Sequence, residues 1–331
     1  MKILYIYRNK TIGFSIQKVF KPIEDAINNL ENVESFYLPE AGASVSQVWR
    51  NIKAACAKVR EQRYDVIHIT GHDYYLAYFL HWNNRIVVTV HDLGFLKAAK
   101  NALHRLLLRL FWVTTLKFAN KIICISDSTR KELMQFLALK EDKVLIIDNP
   151  VGVEFVPHVK NVNTAYPQIL HIGTKKNKNL ANTILAIHDL PCHLTIIGEL
   201  SKDDLSMLEK YHIDYDNKKG LSDEELLDEY VSCDIVNFPS TYEGFGMPIV
   251  EGQAVGRVVV TSNMSPMKDV AGNGCQLVDP FDPLSIRAGY EKAIENYDAI
   301  VERGFENIKR FSLDNVISAY REVYDEIANG Y

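Results

Sequence analysis

Residues 239–251, Pro-Ser-Thr-Tyr-Glu-Gly-Phe-Gly-Met-Pro-Ile-Val-Glu, combine residue types that can bind a phosphorylated sugar. Glu243 and Glu251 are eight positions apart, and the two glycines that follow Glu243 let the backbone approach a ligand closely. Pro248 suits the first turn of a helix, and a helix start can receive an anion such as a phosphate. An isolated Glu243 would be interpreted as the capping acid of a strand-to-helix turn, but the whole segment indicates a nucleotide-sugar site.

Three further segments offer candidate ligands at the ends of predicted strands. Residues 171–180, His-Ile-Gly-Thr-Lys-Lys-Asn-Lys-Asn-Leu, place lysines before a helix, which suits either a diphosphate or a solvated lysine loop. His91 follows another strand and is either a ligand contact or a structural residue. Residues 219–222 form a turn that can cap the next helix. Two other histidines, His68 and His72, are either structural or acceptor-side residues.

Short β-branched or aromatic runs alternate with helical patterns along the chain, which predicts an α/β protein with parallel sheets covered on both faces. A turn signal at Asn149-Pro150 opens an irregular stretch and predicts a boundary between two doubly wound domains, residues 1–150 and 151–312. Ligands of such domains lie at the carboxyl ends of the strands, here in an interdomain cleft. The predicted strands are 2–7, 35–38, 65–70, 85–90, 121–125, 143–147, 168–173, 193–198, 233–238, 257–261 and 275–278.

The composition excludes several classes of protein. Lys and Arg number 37 and Asp and Glu number 42, and a net charge of −5 disfavours nucleic-acid binding. The five cysteines are dispersed without a CxxC pair, which predicts reduced thiols in a cytosol. No run approaches the ~18 apolar residues of a membrane span, and we expect no signal peptide. A cytoplasmic protein is therefore expected.

The 239–251 segment resembles the E-x7-E motif of glycosyltransferase family 4, a group of mostly retaining, nucleotide-sugar-dependent enzymes with the GT-B fold. The resemblance runs from residue 169 to 285, and less closely from 65 to 135. It implies that Glu243 contacts the donor sugar and that Glu251 contacts the ribose. It also implies that four residues meet the sugar and diphosphate through their backbone: Gly244, Phe245, Gly246 and Met247.

The resemblance extends to other loops. Lys178 matches a family lysine that neutralises the leaving diphosphate. Lys175 or Lys176 stands where the family has an arginine, and Lys176 is our donor-binding candidate, although lysine lacks the bidentate fork of arginine. The resemblance implies that His91 contacts the donor sugar. It also implies that the catalytic residues are His91, Lys178 and Glu243. The other implied donor contacts are Gly13, Gly173, Thr174, Gly220 and Leu221. The last helix, 313–331, is expected on the first, acceptor-side domain, while 151–312 binds the donor.

We therefore expect transfer of a sugar from a UDP- or GDP-type donor to a hydroxyl of a glycan or lipid-linked glycan, with retention and without a cofactor or metal. Asp214 and Asp216 form the Asp-x-Asp pattern that binds metal in the other major glycosyltransferase fold, but they lie in a polar stretch without that context. Two alternatives stay open. One is a GT-B epimerase or an inverting transferase with His91 or Asp73 as base, and the other is a non-catalytic sugar-nucleotide binder.

Residues 95–118 predict one amphipathic helix. Basic residues mixed with exposed aromatic residues predict a peripheral contact with an anionic membrane at its inner face. The alternative is a helix packed on the first sheet with Trp112 covered by a loop. One half of the helix would carry Lys97, Lys100, His104, Arg105 and Arg109, together with Leu108, Phe111 and Trp112. The other half would carry Leu103, Leu106, Leu107, Leu110 and Val113.

Overall fold

The computed structural model describes residues 1–12 and 14–330, so the candidate donor contact Gly13 lies outside the described residues. The chain divides into two compact units. The first unit consists of Met1–Pro150 and Leu313–Tyr331, and the second unit consists of Val151–Ser312. Each unit contains one six-stranded sheet in which every pairing is parallel. The predicted α/β class with two doubly wound sheets is confirmed.

The strands are ordered in each sheet as a doubly wound fold requires. The first sheet has the order β2-β1-β3-β4-β5-β6, with β1 (Lys2–Tyr7), β2 (Asn32–Tyr37), β3 (Val66–Ile69), β4 (Ile86–Val90), β5 (Lys121–Cys124) and β6 (Val144–Ile146). The second sheet has the order β12-β11-β10-β7-β8-β9, with β7 (Gln168–Ile172), β8 (His193–Ile197), β9 (Tyr215–Lys218), β10 (Ile235–Phe238), β11 (Val258–Ser262) and β12 (Gln276–Val278).

The helices connect successive strands, and short 3-10 turns extend several of them. They are α1 (Phe14–Asn28), α2 (Val45–Glu61), α3 (Leu76–Leu80), α4 (Gly94–Lys97), α5 (Ala102–Leu108), α6 (Asp127–Phe136), α7 (Leu180–Ile187), α8 (Lys202–Lys210), α9 (Asp223–Ser232), α10 (Met247–Ala254), α11 (Met267–Ala271), α12 (Pro283–Glu295), α13 (Tyr297–Ile308) and α14 (Leu313–Asn329). The described part of the chain includes no helix long and apolar enough to cross a membrane.

The strand order reverses direction at one place in each sheet. In the first sheet the reversal lies between β1 and β3, and in the second it lies between β7 and β10. Because all strands of a sheet are parallel, the loops that follow neighbouring strands meet at one edge, and ligands of doubly wound sheets bind at the reversal. Functional residues are therefore expected in the loops after β1, β3, β7 and β10.

The last helix, α14, packs on the first sheet through a buried polar network. The hydroxyl of Tyr324 lies 2.8 Å from that of Tyr5 and 2.6 Å from His68 Nδ1. His68 Nε2 lies 2.8 Å from the hydroxyl of Thr89. Burial lowers the pKa of His68 to about 3, so the ring is neutral at pH 7. These contacts favour the structural interpretation of His68.

Every strand except β9 overlaps a predicted strand. The sequence Tyr-Asp-Asn-Lys of β9 is polar, and the strand lies at the edge of the sheet, where it pairs with β8 alone.

The two acids of the Asp-x-Asp pattern lie beside this strand, because Asp216 belongs to β9 and Asp214 precedes it. Asp214 Oδ2 accepts a hydrogen bond from the hydroxyl of Tyr166 at 2.7 Å and lies 2.9 Å from His193 Nδ1. Among the described residues there is no cluster of three or more His, Cys, Asp or Glu side chains that could hold a metal ion.

The prediction of a single helix over residues 95–118 is wrong. The segment consists of α4, α5, a π-helical turn at Arg109–Val113 and a 3-10 turn at Thr114–Phe118. Val113 is buried, and the half-buried Trp112 packs edge-on against Tyr75 with ring centres 5.0 Å apart. The large apolar residues of the segment that are exposed are Leu103, Leu106, Leu107, Leu110, Phe111 and Phe118.

Candidate functional site

The loop after β7 is shaped to carry Lys178. Gly173 directly follows β7 with a φ of +90°, and a Cβ atom there would lie 2.9 Å from Lys178 Cγ. Only glycine combines this backbone conformation with such a close approach. A 3-10 turn at Lys176–Lys178 follows, and Asn179 adopts φ 67° before α7 begins. The loop therefore brings the aliphatic part of the Lys178 side chain close to Gly173, directly after β7.

The loop after β10 separates the two glutamates of the motif. Gly246 has a φ of +114° and precedes α10, and Pro248 lies in the first turn of that helix. The buried Phe245 ring packs edge-on against Phe311 at 5.5 Å between centres. Glu243 consequently lies before the helix, whereas Glu251 lies inside it. A helix start with a positive dipole end stands between the two carboxylates.

Asn177 joins the two loops at the reversal point. Its carbonyl accepts a hydrogen bond from the backbone N–H of Thr241 at 2.8 Å. Its side-chain amide donates to the carbonyl of Tyr242 at 2.9 Å and to Glu243 Oε1 at 3.2 Å. The sequence analysis did not identify this residue. Its contacts fix the loop after β10 against the loop after β7.

Lys178 and Glu243, both predicted site residues, are in direct contact. Lys178 Nζ donates to Glu243 Oε1 at 2.7 Å and lies 4.6 Å from the centre of the Phe238 ring. The two side chains keep 20% and 15% of their surface exposed. In such a pair, the ammonium group of Lys178 can bind an anion, and the carboxylate of Glu243 can accept a hydrogen bond from a hydroxyl.

Glu251 is buried and oriented by Tyr230. The hydroxyl of Tyr230, on α9, donates to Glu251 Oε2 at 2.5 Å. Burial raises the pKa of Tyr230 well above its usual range, so the hydroxyl keeps its proton and acts as the donor. Nothing in the sequence pointed to Tyr230, because it lies on a different helix from Glu251.

A cavity of about 570 Å³ lies beside the loop after β7. Its walls come from the ends of β7 and β8: Gly173, Thr174, Lys175, Lys178, Gly198 and Glu199. Thr174 donates its hydroxyl hydrogen bond to the carbonyl of Glu199 at 2.6 Å. Lys175 is part of this wall, whereas the predicted donor contact Lys176 is an exposed residue of the adjoining turn.

The turn at Gly220 and Leu221 precedes α9. Gly220 is exposed and has a φ of +66°. Ser222 accepts from the backbone N–H of Glu225 at 3.2 Å, and the Glu225 carboxylate accepts from the backbone N–H of Ser222 at 2.7 Å. This capping box accounts for the turn as a helix start. The predicted contact of Gly220 and Leu221 with the donor stays a prediction.

His91 belongs to the first unit, where it joins the loops after β3 and β4. It is buried, and its Nε2 lies 2.8 Å from the carbonyl of Thr70, which can only accept, so Nε2 carries the proton. Burial lowers the pKa of His91 to about 4. The ring is therefore neutral at pH 7 and has a structural partner. Its contact with a donor sugar stays a prediction.

Comparison with known proteins identifies the class. The family model described as "Glycosyltransferase Family 4" matches residues 21–155, and the model described as "Glycosyl transferases group 1" matches residues 154–308. Together with the two doubly wound sheets, these matches define a glycosyltransferase of the GT-B fold. Within that class, the chain belongs to glycosyltransferase family 4.

Several relatives match large parts of the chain. The O-antigen chain mannosyltransferase B of Escherichia coli is 24% identical in an alignment of 292 positions that covers 76% of this chain and 73% of the relative. A UDP-Gal:alpha-D-GlcNAc-diphosphoundecaprenol alpha-1,3-galactosyltransferase of the same organism is 22% identical, covering 80% of this chain and 73% of the relative. The serotype-specific mannosyltransferase WbdA of Escherichia coli is 26% identical in an alignment of 200 positions that covers 53% of this chain but only 24% of that longer protein.

Solved structures share the fold. The HepE protein of Anabaena, crystallised in complex with UDP and glucose, superposes with a TM-score of 0.77 at 17% identity. The superposition covers 98% of this chain and 100% of that chain. At this identity the likeness concerns the fold alone.

Proposed function

We propose that this protein transfers a hexose from a UDP- or GDP-linked donor to a hydroxyl of a lipid-linked glycan, with retention of configuration and without a metal ion. The observation that carries the proposal is the contact between Lys178 and Glu243. It joins a cation and a carboxylate from the two loops at the reversal point of the second sheet, which is where a nucleotide-sugar is expected in such a sheet.

Each part of the donor has a matching group in the second unit. Lys178 and Lys175, beside the 570 Å³ cavity, are suited to stabilise the charge that develops on the departing diphosphate. The start of α10 adds a positive dipole end. Glu243 is suited to accept hydrogen bonds from sugar hydroxyls, and Glu251 from the ribose. These cationic groups are the reason that we propose a reaction independent of a divalent ion.

The relatives support the chemical class of donor and acceptor. The names of two relatives specify transfer of mannose and of galactose, and one of them acts on a diphosphoundecaprenol-linked sugar. The structural neighbour from Anabaena binds UDP and glucose. A bacterial surface glycan built on a lipid carrier is therefore the acceptor class that we propose.

We also propose that α5 and the following π-helical turn touch the inner face of an anionic membrane. Five apolar side chains there are exposed, and among them Leu103 and Phe111 expose 66% and 61% of their surface. Lys100, Arg105 and Arg109 are exposed close by in the sequence. Exposed apolar residues beside cations suit the interface of an anionic bilayer, where a lipid-linked acceptor would lie.

The function is tested by incubating the protein with a panel of UDP- and GDP-hexoses, with and without a diphosphoundecaprenol-linked sugar. We expect release of one nucleoside diphosphate only when acceptor is present, the same rate with EDTA, and a product with the anomeric configuration of the donor. Interconversion of nucleotide-sugars without acceptor would indicate an epimerase. Inverted product would indicate an inverting transferase, and binding without release would indicate a non-catalytic binder.

Membrane contact is tested separately by sedimentation with vesicles of phosphatidylglycerol and phosphatidylcholine. We expect co-sedimentation at low salt that is lost in the triple variant Leu106→Ser, Leu110→Ser, Phe111→Ser. The matched control replaces Leu205 and Leu284, which are exposed in the second unit, by Ser. Equal sedimentation of both variants would contradict the membrane proposal and leave the transferase proposal intact.

A further inference from the structure

Lys178 and Glu243, the two side chains that carry the proposed donor site, neutralise each other. Lys178 Nζ donates to Glu243 Oε1 at 2.7 Å, and the two side chains keep only 20% and 15% of their surface exposed. Partial burial reduces screening by water and salt, so an ion that enters the site interacts strongly with both charges. A negative ligand therefore meets a carboxylate as well as an ammonium group.

Both side chains of the pair are held in place. The stem of Lys178 packs against Gly173, where a Cβ atom would lie 2.9 Å from Lys178 Cγ and 3.1 Å from Cε. Its ammonium group lies 4.6 Å from the centre of the buried Phe238 ring. Glu243 Oε1 also accepts a hydrogen bond from the side-chain amide of Asn177 at 3.2 Å. We therefore expect the carboxylate to stay beside the ammonium group when a ligand binds.

His171, at the end of β7, does not add a second positive charge. Its Nδ1 lies 2.8 Å from the side-chain amide nitrogen of Asn237, which can only donate, so Nδ1 is the acceptor. The hydroxyl of Tyr290 fixes this amide by donating to Asn237 Oδ1 at 2.8 Å. Burial and, to a smaller extent, the charge of Lys178 lower the pKa of His171 to about 4. The ring is therefore neutral at pH 7.

A nucleotide-sugar and a nucleoside diphosphate interact differently with this pair. In the nucleotide-sugar the terminal phosphate is a diester with a single charge, and sugar hydroxyls can donate hydrogen bonds to Glu243. In the nucleoside diphosphate the terminal phosphate is a monoester with about −1.5 to −2 charge at pH 7, and the sugar is gone.

The carboxylate is close enough to distinguish these two ligands. A phosphate oxygen bound to Lys178 Nζ would lie no more than about 5.6 Å from Glu243 Oε1. At such a distance in a partly buried site, repulsion between a carboxylate and a phosphate is substantial, and it grows with the charge of the phosphate. Glu243 therefore gains hydrogen-bond donors from the nucleotide-sugar, whereas it repels the nucleoside diphosphate.

We propose that Glu243 lowers the affinity of the donor site for the nucleoside diphosphate relative to the nucleotide-sugar, and so favours release of the product. The inference rests on the proposed transferase function, which places the donor beside this pair. It adds a second role for Glu243, because the carboxylate that accepts from sugar hydroxyls before transfer repels the diphosphate after it. Asn177 acts as a positioning residue that holds the carboxylate beside Lys178.

The inference predicts that removing a charge improves the binding of one ligand and weakens that of the other. Calorimetric titration compares UDP with UDP-glucose and UDP-galactose, and GDP with GDP-mannose. Glu243→Gln keeps the size of the side chain and removes its charge. We expect this variant to bind the nucleoside diphosphate at least about threefold more tightly than the wild type. It should bind the nucleotide-sugar at least about threefold more weakly, because a neutral acceptor replaces a charged one.

Two further variants control this measurement. Glu209→Gln removes the same charge from an exposed residue of α8 and should leave both dissociation constants within about twofold. Asn177→Ala should change the ratio of the two constants in the same direction as Glu243→Gln but by a smaller factor, because the carboxylate is kept and only its orientation is lost. Thermal unfolding shows whether Glu243→Gln folds, and if it does not, Glu243→Ala is expected to show the same gain.

Product inhibition in the transfer assay gives a second readout. In Glu243→Gln, the inhibition constant of the nucleoside diphosphate, divided by the KM for the donor, should fall by about the same factor as the ratio of dissociation constants, about tenfold. A residue that only stabilises the fold would change both values together or neither.

Three results would overturn the inference. These are unchanged or weaker binding of the nucleoside diphosphate by Glu243→Gln, an equal change for both ligands, and an equal gain in Glu209→Gln. Failure of the proposed function would be recognised differently. The gain in Glu243→Gln would then remain, whereas no nucleoside diphosphate would be released from any donor in the transfer assay. A wild type that binds none of the five ligands would contradict both.

Discussion

The two units present different chemistry at equivalent edges of similar sheets. In the second unit, glycines shape the loops at this edge around Lys178 and Glu243: Gly173, Gly198, Gly220 and Gly246 all have positive φ. In the described part of the first unit, the positive-φ residue is Gly330 at the end of α14, far in sequence from any strand-end loop. Its edge is built from the side chains of Arg8, Asp73 and Asp92 instead.

This difference matches what each edge would bind. A diphosphate is recognised by close backbone approach, a helix start and a cation, which are largely independent of which sugar is attached. An acceptor sugar is recognised by individual side chains, which differ with each linkage. If the proposed function is right, the same doubly wound fold would support one general site and one specific site.

The largest expected effect comes from Lys178→Ala. Removing the cation that contacts Glu243 should reduce turnover at saturating donor by about 100-fold or more, because stabilisation of the leaving charge is lost. Nucleoside diphosphate release measures it. Lys202→Ala, at an exposed lysine of α8, is the matched control and should behave like the wild type. Near-normal turnover of Lys178→Ala with a normal unfolding temperature would remove Lys178 from the mechanism.

Glu251→Ala should weaken nucleoside diphosphate binding by about 1.5–3 kcal/mol, or about tenfold to a hundredfold in Kd. Tyr230→Phe should cause a smaller loss, because it keeps the carboxylate and removes only its orienting hydrogen bond. Titration calorimetry measures both. Glu209→Ala, at an exposed residue of α8, serves as the control. If the three variants bound equally well, Glu251 would not belong to the donor site.

A pair of glycine variants tests the contrast between backbone and side chains. Gly173→Ala places a Cβ 2.9 Å from Lys178 Cγ at a φ of +90° and should destabilise the protein by about 1–3 kcal/mol. Gly71→Ala meets the flexible stem of Arg8 at 2.8 Å and should cost less, about 1 kcal/mol or below, since that side chain can shift. Urea unfolding gives both values, and the reverse order would contradict the contrast.

A further prediction concerns stability in acid. Burial lowers the pKa of His68 to about 3 and those of His91 and His171 to about 4, against about 6.5 when unfolded. Between pH 6.5 and 4 the unfolded chain therefore binds more protons, and stability falls as pH falls, by about 1.4 kcal/mol per pH unit for each histidine. Urea midpoints at several pH values test this. His68→Gln should flatten the dependence, and an unchanged slope would argue against a neutral buried His68.

The sequence predicted most of the sheets because buried parallel strands are continuous apolar runs. It missed β9 because a polar edge strand has no such signal. It was wrong about a single helix over residues 95–118 because the chain leaves the helix between α4 and α5, where Asn101 is extended and caps α5, and because a π-helical turn changes the 100° periodicity at Arg109–Val113. Packing of Trp112 on Tyr75, 37 positions earlier, also decides which face is buried, and local periodicity carries no information on it.

The site was predicted only in part, for a similar reason. Lys178, Glu243 and Glu251 belong to a recognisable motif. Asn177 and Tyr230 act through partners 65 and 21 positions away, so their roles become visible only in three dimensions. In the first unit, Arg8 and Asp73 follow the neighbouring strands β1 and β3, and likewise only the fold brings them within 3.5 Å of each other.

The central claim is that the two loops at the reversal point of the second sheet hold the diphosphate of the donor. The most direct test is a calorimetric titration of wild type and Lys178→Ala with UDP and uridine, and with GDP and guanosine. We expect one diphosphate to bind the wild type at least about tenfold more tightly than the variant, and the corresponding nucleoside to bind both proteins within about twofold. Equal binding of that diphosphate to both proteins, or no binding of either diphosphate to the wild type, would contradict it.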